Sequence, residues 1–457
     1  MSAGAGSPES LDVLARALAK LAEGSDSLPP MGESDDPDAA AALEHVLLET
    51  AVRMQDNFPY AHPLYAGQML KPPHPVARLA YALAMSVNPN NHALDGGRAS
   101  SAMEKEAVAE IARMFGWDQP LAHLTGGGTM ANLEALYVAG QLRPGEVIAA
   151  SSQAHYTHGR IAGVLGIPFV SVPVDAQGRM DLLALERLLE SRRIGTVVAT
   201  LGTTAIGSVD PLPGLLALQQ RHDFRIHADA AYGGYYRLAD NLGAAATAAF
   251  AHAEQVDSIV IDPHKHGLQP YGCGCILFRD ASVGRFYQHD SPYTYFSSDE
   301  LHLGEISLEC SRPGAAAVAL WATQRLLPLE RGGTFARGLE DSSRAAIALH
   351  ARLAGDPRFI VGPVPELDIV VWAVRATRAS ESSALARCVF ETAATLDLHL
   401  ALAELPIEFL GSAGDGLEPD QPTVTCLRSV LMKPEHLVWL DQIWARLDKA
   451  TPSATAA

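Results

Sequence analysis

At 457 residues the chain is too long for one compact core, and its 48% apolar and 19% charged residues suit a globular protein with a large buried interior. The formal charge of −18 excludes a binder of nucleic-acid backbones, which would concentrate lysine and arginine on one face. No apolar run is long enough for a membrane span, and "MSAGAGSPES" lacks the basic start and apolar stretch of a signal peptide, so a cytoplasmic protein without membrane partners is expected.

An amphipathic helical pattern, "LDVLARALAKLAEG", opens the chain, and a polar, proline-rich, acidic connector, "SDSLPPMGESDDPDAA", follows it; residues 1–40 are expected to be partly disordered. Residues 41–100 read as a helical segment. From 101 to 330 the short apolar runs "EVIAAS", "PFVSVPV", "TVVATLG", "FRIHAD", "SIVIDP" and "CGCILF" alternate with helical stretches. That alternation predicts an α/β domain with a mainly parallel sheet covered by helices on both faces. A long helix over about residues 334–353 and the strands "DIVVWAV" and "TCLRSVLM" then predict a smaller domain, residues 331–450, before a disordered tail, 451–457. Cys273, Cys275, Cys310, Cys388 and Cys426 are odd in number and scattered, which reads as reduced thiols.

Ligands of parallel sheets gather beyond the carboxyl ends of the strands, and four such places carry unusual chemistry. In "HLTGGGTMANLEAL", Gly126, Gly127, Gly128 and Thr129 precede a helical pattern beginning near Met130, which reads as a phosphate cradle or as an ordinary glycine turn with Thr129 as N-cap. In "ASSQAHYTHGRIAG", His155 is placed to stack on a planar ring, whereas His158 reads better as a histidine making routine hydrogen bonds. In "FRIHADAAYGGYY", Asp229 ends an apolar strand, where it either meets a positive partner or caps a helix, and Ala230, Ala231, Gly233 and Gly234 leave room for a flat ligand. In "DPHKHGLQPYGCGCILF", Lys265 precedes a buried strand. Desolvation makes such an amine a nucleophile, and beside a phosphate cradle and a carboxylate it points to an imine with an aldehyde cofactor. A metal site of His264, His266, Cys273 and Cys275 is the rival reading, but one residue between the cysteines departs from zinc spacing.

Taken together, "HADAAYGG" followed by "DPHKHG", with "SSQAH", "ATLGTT" and "HPLYAGQM" in order, resemble the group II amino-acid decarboxylases among the fold-type I pyridoxal phosphate enzymes, over about His62 to Trp321. The resemblance implies a mainly parallel seven-stranded sheet, a small C-terminal α+β domain, and a homodimer in which the N-terminal segment embraces its partner. It implies that Lys265 holds pyridoxal phosphate, that Asp229 pairs with the pyridine nitrogen, and that His155 and Ala231 lie on the two ring faces. Gly128, Thr129 and His264 would contact the phosphate, and Thr204 would sit against the polar edge of the ring. Asp262 stands where the family often has asparagine, so no phosphate contact is expected there. Gln68 would wall the substrate pocket. Arg312 matches an arginine that touches substrate carboxylate in some members, with a structural ion pair as its alternative. Tyr293, with Tyr295 as second choice, would protonate the α-carbon from a loop a few residues shorter than in the animal aromatic decarboxylases.

The implied activity is decarboxylation of an L-amino acid. An aromatic substrate such as tyrosine comes first, since Phe58, Tyr60 and Tyr65 suit an aromatic pocket, though they read equally as packing residues, and glutamate or aspartate second. A carbon–carbon lyase or an aminotransferase of the same fold is the alternative. Arg428, on a strand expected to be half exposed, matches the arginine that clamps the α-carboxylate in aminotransferases, or is simply solvated.

Overall fold

The structure, a computed structural model, describes residues 8–29, 37–288, 302–414 and 416–452. Tyr293 and Tyr295 lie outside the described residues, as do the middle of the connector and residues 453–457 of the tail. The connector is shorter than its composition suggests, because a helix begins at Pro37 and runs to Met54. The tail also starts later than expected: Thr451 is buried, and its hydroxyl donates to the Leu447 carbonyl.

Seven strands form the large sheet: β1 (Leu121–Thr125), β2 (Val147–Ser151), β3 (Phe169–Val172), β4 (Ile194–Thr200), β5 (Arg225–Asp229), β6 (Ser258–Ile261) and β7 (Gly274–Phe278), in the order β1-β7-β6-β5-β4-β2-β3. β7 alone runs antiparallel to its neighbours β1 and β6; the other pairings are parallel. The mostly parallel sheet is the one the alternating pattern predicts. Its strands are apolar at consecutive positions because both faces are covered. Ala149, Val197 and Ala199 pack on one face with Ala107 and Ile111 of the Leu94–Met114 helix. Their neighbours Ile148, Ala150 and Val198 face the other way, against Leu136 of the Gly128–Leu142 helix. β1, "LAHLT", escapes the sequence pattern, having one β-branched residue and a central histidine.

The Thr334–Ala354 helix leads into a second sheet of β8 (Phe359–Val361), β9 (Ile369–Val374), β10 (Ala401–Pro406) and β11 (Thr423–Val430), all antiparallel, in the order β10-β11-β9-β8. Phe335, Leu339, Ala346, Leu349 and Leu353 recur at helical spacing along that helix, and each is buried. The N-terminal segment is tied to this second sheet: the Ala66 amide donates to His399 and the Val430 amide to Ala66.

A buried ion pair fixes the end of β1 beneath the glycine run. Glu104 Oε1 accepts from the Leu124 amide at 3.0 Å and from Arg312 Nη1 at 2.8 Å, while Oε2 accepts from Asn91 Nδ2 at 2.6 Å. Arg312 Nη1 also donates to the Leu124 carbonyl. The expectation that Arg312 touches substrate therefore gives way to its alternative: the residue is 5% exposed and its Nη1 is bound into the scaffold. Glu104→Ala would leave a buried arginine unpaired and is expected to cost about 3–5 kcal/mol. Glu104→Met with Arg312→Met should recover much of that loss, and denaturant unfolding of the two variants beside the wild type checks both statements.

Candidate active site

The carboxyl ends of β1, β2, β4, β5 and β6 lie on one edge of the sheet and surround a cleft of about 560 Å³. Asp229, the last residue of β5, is almost fully buried. Its Oδ2 is 2.8 Å from His158 Nε2, and its Oδ1 accepts from the Ala231 amide at 3.1 Å. Burial opposes ionisation, but the His158 hydrogen bond and the nearby charges of His158 and Lys265 outweigh it and hold the carboxyl well below its ordinary range. Asp229 is thus a charged acceptor and not a helix cap. His158, read from sequence as a routine histidine, is its partner, on the first turn of the helix Thr157–Leu165 and wholly buried.

Lys265 stands on the loop between β6 and β7. Its Nζ lies 3.0 Å from Asp262 Oδ2, and the Lys265 amide donates to the Asp262 carbonyl at 2.9 Å. His264 donates from Nδ1 to the Cys273 carbonyl at 2.8 Å, which leaves Nε2 on the side of Asp262 at 3.6 Å, and its ring stacks on Tyr271 with centroids 4.8 Å apart. Burial holds this imidazole below its ordinary value.

Opposite the lysine the chain makes its glycine turn. Gly127, with φ of 141°, ends the turn in a conformation that favours glycine, and the helix starts at Gly128 with no side-chain cap. Thr129 is therefore inside the first helical turn and is not the N-cap. A Cβ on Gly128 would sit 2.6 Å from Asp262 Oδ2, and one on Gly274 would sit 2.5 Å from the Gly127 backbone. The loop can pass this close to its neighbours only because side chains are missing. A helix start without a side-chain cap offers N–H groups and the positive dipole end to an anion. Phosphate at the Gly128 end, an aldehyde within reach of Lys265 and a ring nitrogen at Asp229 are the three demands of pyridoxal phosphate, and residues for each line this one cleft.

Other residues singled out in the sequence fall in two groups. His155, Thr204 and Ala231 line the cleft with Lys265. The His155 ring accepts at Nδ1 from the Thr157 amide at 3.3 Å and contacts the Thr157 hydroxyl, and burial holds it below its ordinary value. Gln68 does not line the cleft: it is exposed, and its Oε1 accepts from Arg428 Nη1 at 3.2 Å. Arg428 is 4% exposed and not half exposed as the strand pattern suggests. Its other bonds go to the carbonyls of Thr204 at 2.6 Å, Ala205 at 3.0 Å and Gly67 at 3.4 Å. Phe58, Tyr60 and Tyr65 pack on one another and on His399, apart from the cleft lining. His266 faces Asp368 at 3.2 Å and His264 bonds the Cys273 carbonyl, and among the described residues no group of three or more such side chains is placed to hold a metal ion.

The chain belongs to a known family: the pyridoxal-dependent decarboxylase conserved domain matches residues 137–375. Its cofactor is pyridoxal phosphate. The chain is 28% identical to an L-tyrosine decarboxylase of Levilactobacillus brevis, the match covering 59% of each protein. It is 31% identical to an L-aspartate decarboxylase of Thermococcus kodakarensis, over 63% of this chain and 73% of that one. Among solved structures, mouse CSAD superposes with a TM-score of 0.77 at 19% identity, over 98% of this chain and all of that one, and so shares the fold.

Gly274→Ala should push the glycine turn off its place, at an overpacking cost of about 1–3 kcal/mol. Directed at the cradle, that cost is expected to weaken pyridoxal phosphate binding about ten- to hundredfold, read by fluorescence titration of the cofactor-free protein.

Proposed function

We propose that the protein decarboxylates an L-amino acid to its amine and carbon dioxide, with an aromatic amino acid such as tyrosine assigned first and glutamate or aspartate second. The observation that carries this reading is the charged Asp229 and the Lys265 amine lining one cleft whose far end is a glycine-built helix start. The names of the relatives, tyrosine and aspartate decarboxylases, support both substrate classes.

Bound pyridoxal phosphate supplies an acceptor for the electron pair of a breaking bond at the substrate's α-carbon. Lys265 would hold the cofactor's aldehyde carbon and give it up to the substrate amine. Asp229, held by His158 and the Ala231 amide, would keep the ring nitrogen protonated. His155 and Ala231 would cover the ring faces, Thr204 its polar edge, and Gly128, Thr129 and His264 the phosphate. A bond at the α-carbon breaks fastest when it stands perpendicular to the ring, so the reaction follows from which group the protein holds upright. Tyr293, outside the described residues, is our proposed proton donor to the α-carbon, with Tyr295 second. Transamination is disfavoured by Arg428: a carboxylate clamp needs a free guanidinium edge, and this one makes four hydrogen bonds within the chain.

A cytoplasmic homodimer completes the proposal. Among the described residues no helix is long and apolar enough to cross a membrane. The helix Pro37–Met54 exposes Leu43, Val46, Leu47, Leu48, Val52 and Met54, a larger apolar face than a lone chain usually presents to water. A second copy would cover it. Sedimentation of the wild type should give twice the chain mass, and Leu43→Glu with Leu47→Glu should give the single-chain mass; a wild type that sediments as one chain overturns the dimer.

The reaction is tested by assaying carbon dioxide against keto-acid formation over the twenty amino acids. Carbon dioxide with a stoichiometric amine is expected from tyrosine, or else from an acidic substrate. Lys265→Ala should abolish it, and Tyr293→Phe should slow it about hundredfold or more. Keto acid as the main product would replace the decarboxylase by the aminotransferase.

A further inference from the structure

Asp229 cannot do its work merely by being near the cleft; its oxygens must point in fixed directions and stay charged. Two contacts achieve this. The Ala231 amide holds Oδ1, and His158 Nε2, 71 residues away in sequence on a helix, holds Oδ2. His158 is wholly buried, and it is the sole ring with a hydrogen bond to this carboxylate among the described residues. A second layer of polar groups extends beneath the cleft from the same place. The His158 and His227 rings meet edge to face with centroids 6.4 Å apart. His227 bonds from Nε2 to Asn132 Oδ1 and from Nδ1 to Ser258 Oγ, each at 2.8 Å. Asn132 Nδ2 then donates to the Gly128 carbonyl at 2.9 Å. Burial pushes His227 down to about 3, so this layer supplies hydrogen bonds without adding a cation.

We propose that His158 is a positioning residue: by donating from Nε2 it aims the Asp229 carboxylate at the ring nitrogen of the cofactor and keeps that carboxylate charged. The inference rests on the cofactor reading of the cleft and is independent of which reaction follows. A histidine that only filled space in the core would stabilise the fold but leave cofactor affinity and spectrum unchanged once the protein was folded.

Two variants separate these roles. His158→Leu fills the same space without a donor, whereas His158→Gln keeps an N–H at about the same reach. Cofactor-free protein is titrated with pyridoxal phosphate by fluorescence, the visible absorption of the loaded protein is recorded, and thermal unfolding of the cofactor-free form is measured beside them. The leucine variant should bind the cofactor about ten- to hundredfold more weakly, the loss expected for one hydrogen bond to a charged group, and should show a displaced visible band. The glutamine variant should bind within about threefold of wild type, a small fraction of the energy of that bond. Wild-type affinity and spectrum in the leucine variant would overturn the proposal. So would an equal loss in both variants, since shape and not donation would then matter. Should the leucine variant fail to fold, the glutamine variant decides: near-native affinity supports the donor, and a loss of tenfold or more overturns it. Turnover enters none of these readouts, so failure to release carbon dioxide would count against the decarboxylase assignment alone.

Discussion

A carboxylate buried at the end of a sheet strand is the constraint around which this molecule is arranged. Taking such a group out of water costs several kcal/mol even after relaxation, and a protein that cannot compensate the cost would protonate it. Here the Ala231 amide and His158 each donate to Asp229, and a hydrogen bond to a charged group returns about 1.5–3 kcal/mol. Against burial, the His158 hydrogen bond and the nearby charges of His158 and Lys265 prevail, so the carboxyl is held well below its ordinary range. Its charge is thereby available to a cationic ring nitrogen.

The sheet topology brings the remaining groups to that carboxylate. Because β1, β2, β4, β5 and β6 run in one direction, their carboxyl ends meet at a single edge, and each contributes one kind of chemistry: the glycine turn, His155, Thr204, Asp229 and Lys265. β7 reverses direction, so the segment from Asp262 to Cys273 is a loop that turns back over the edge, with no crossover helix. The lysine is therefore delivered by a loop and not by a helix. Gly274, where β7 begins beside Thr125, lets the lysine loop and the glycine turn approach each other closely.

Much of this was legible in the sequence, and the boundary of legibility has a physical cause. That Lys265, Asp229, His155 and the glycine run gather in one cleft could be expected because each sits at a strand end in a short motif, where local spacing and local chemistry coincide. The parallel sheet was readable for a similar reason, through apolar runs of strand length separated by helical stretches. His158 was not, since its role depends on a partner 71 residues away and its own neighbourhood looks like the first turn of any amphipathic helix. Arg312 was undecided until Glu104, 208 residues distant, was placed against it. The pattern "TCLRSVLM" suggested that Arg428 is half exposed. β11 instead has β10 and β9 on its two sides and is buried nearly throughout, because the N-terminal segment and the large domain pack on it. The placement of Gln68 in the substrate pocket came from resemblance alone and that of Phe58, Tyr60 and Tyr65 from their aromatic content, and their contacts within the chain lie elsewhere.

Arg428 also shows how the small domain takes part in the chemistry of the large one without entering the cleft. Its guanidinium bridges the Thr204 and Ala205 carbonyls, just after β4, to Gly67 and Gln68 in the N-terminal segment. Thr204 lines the cleft, so the orientation of that wall depends on a residue of the second sheet. A buried guanidinium is tolerable only while its donors are matched by acceptors, and here three of its acceptors are backbone carbonyls. Rotating the small domain would uncouple them together. Arg428 thus joins the reaction edge, the small domain and the N-terminal segment at one point, beside the backbone bonds of Ala66 to His399 and Val430 and the His266–Asp368 pair that also hold these parts together.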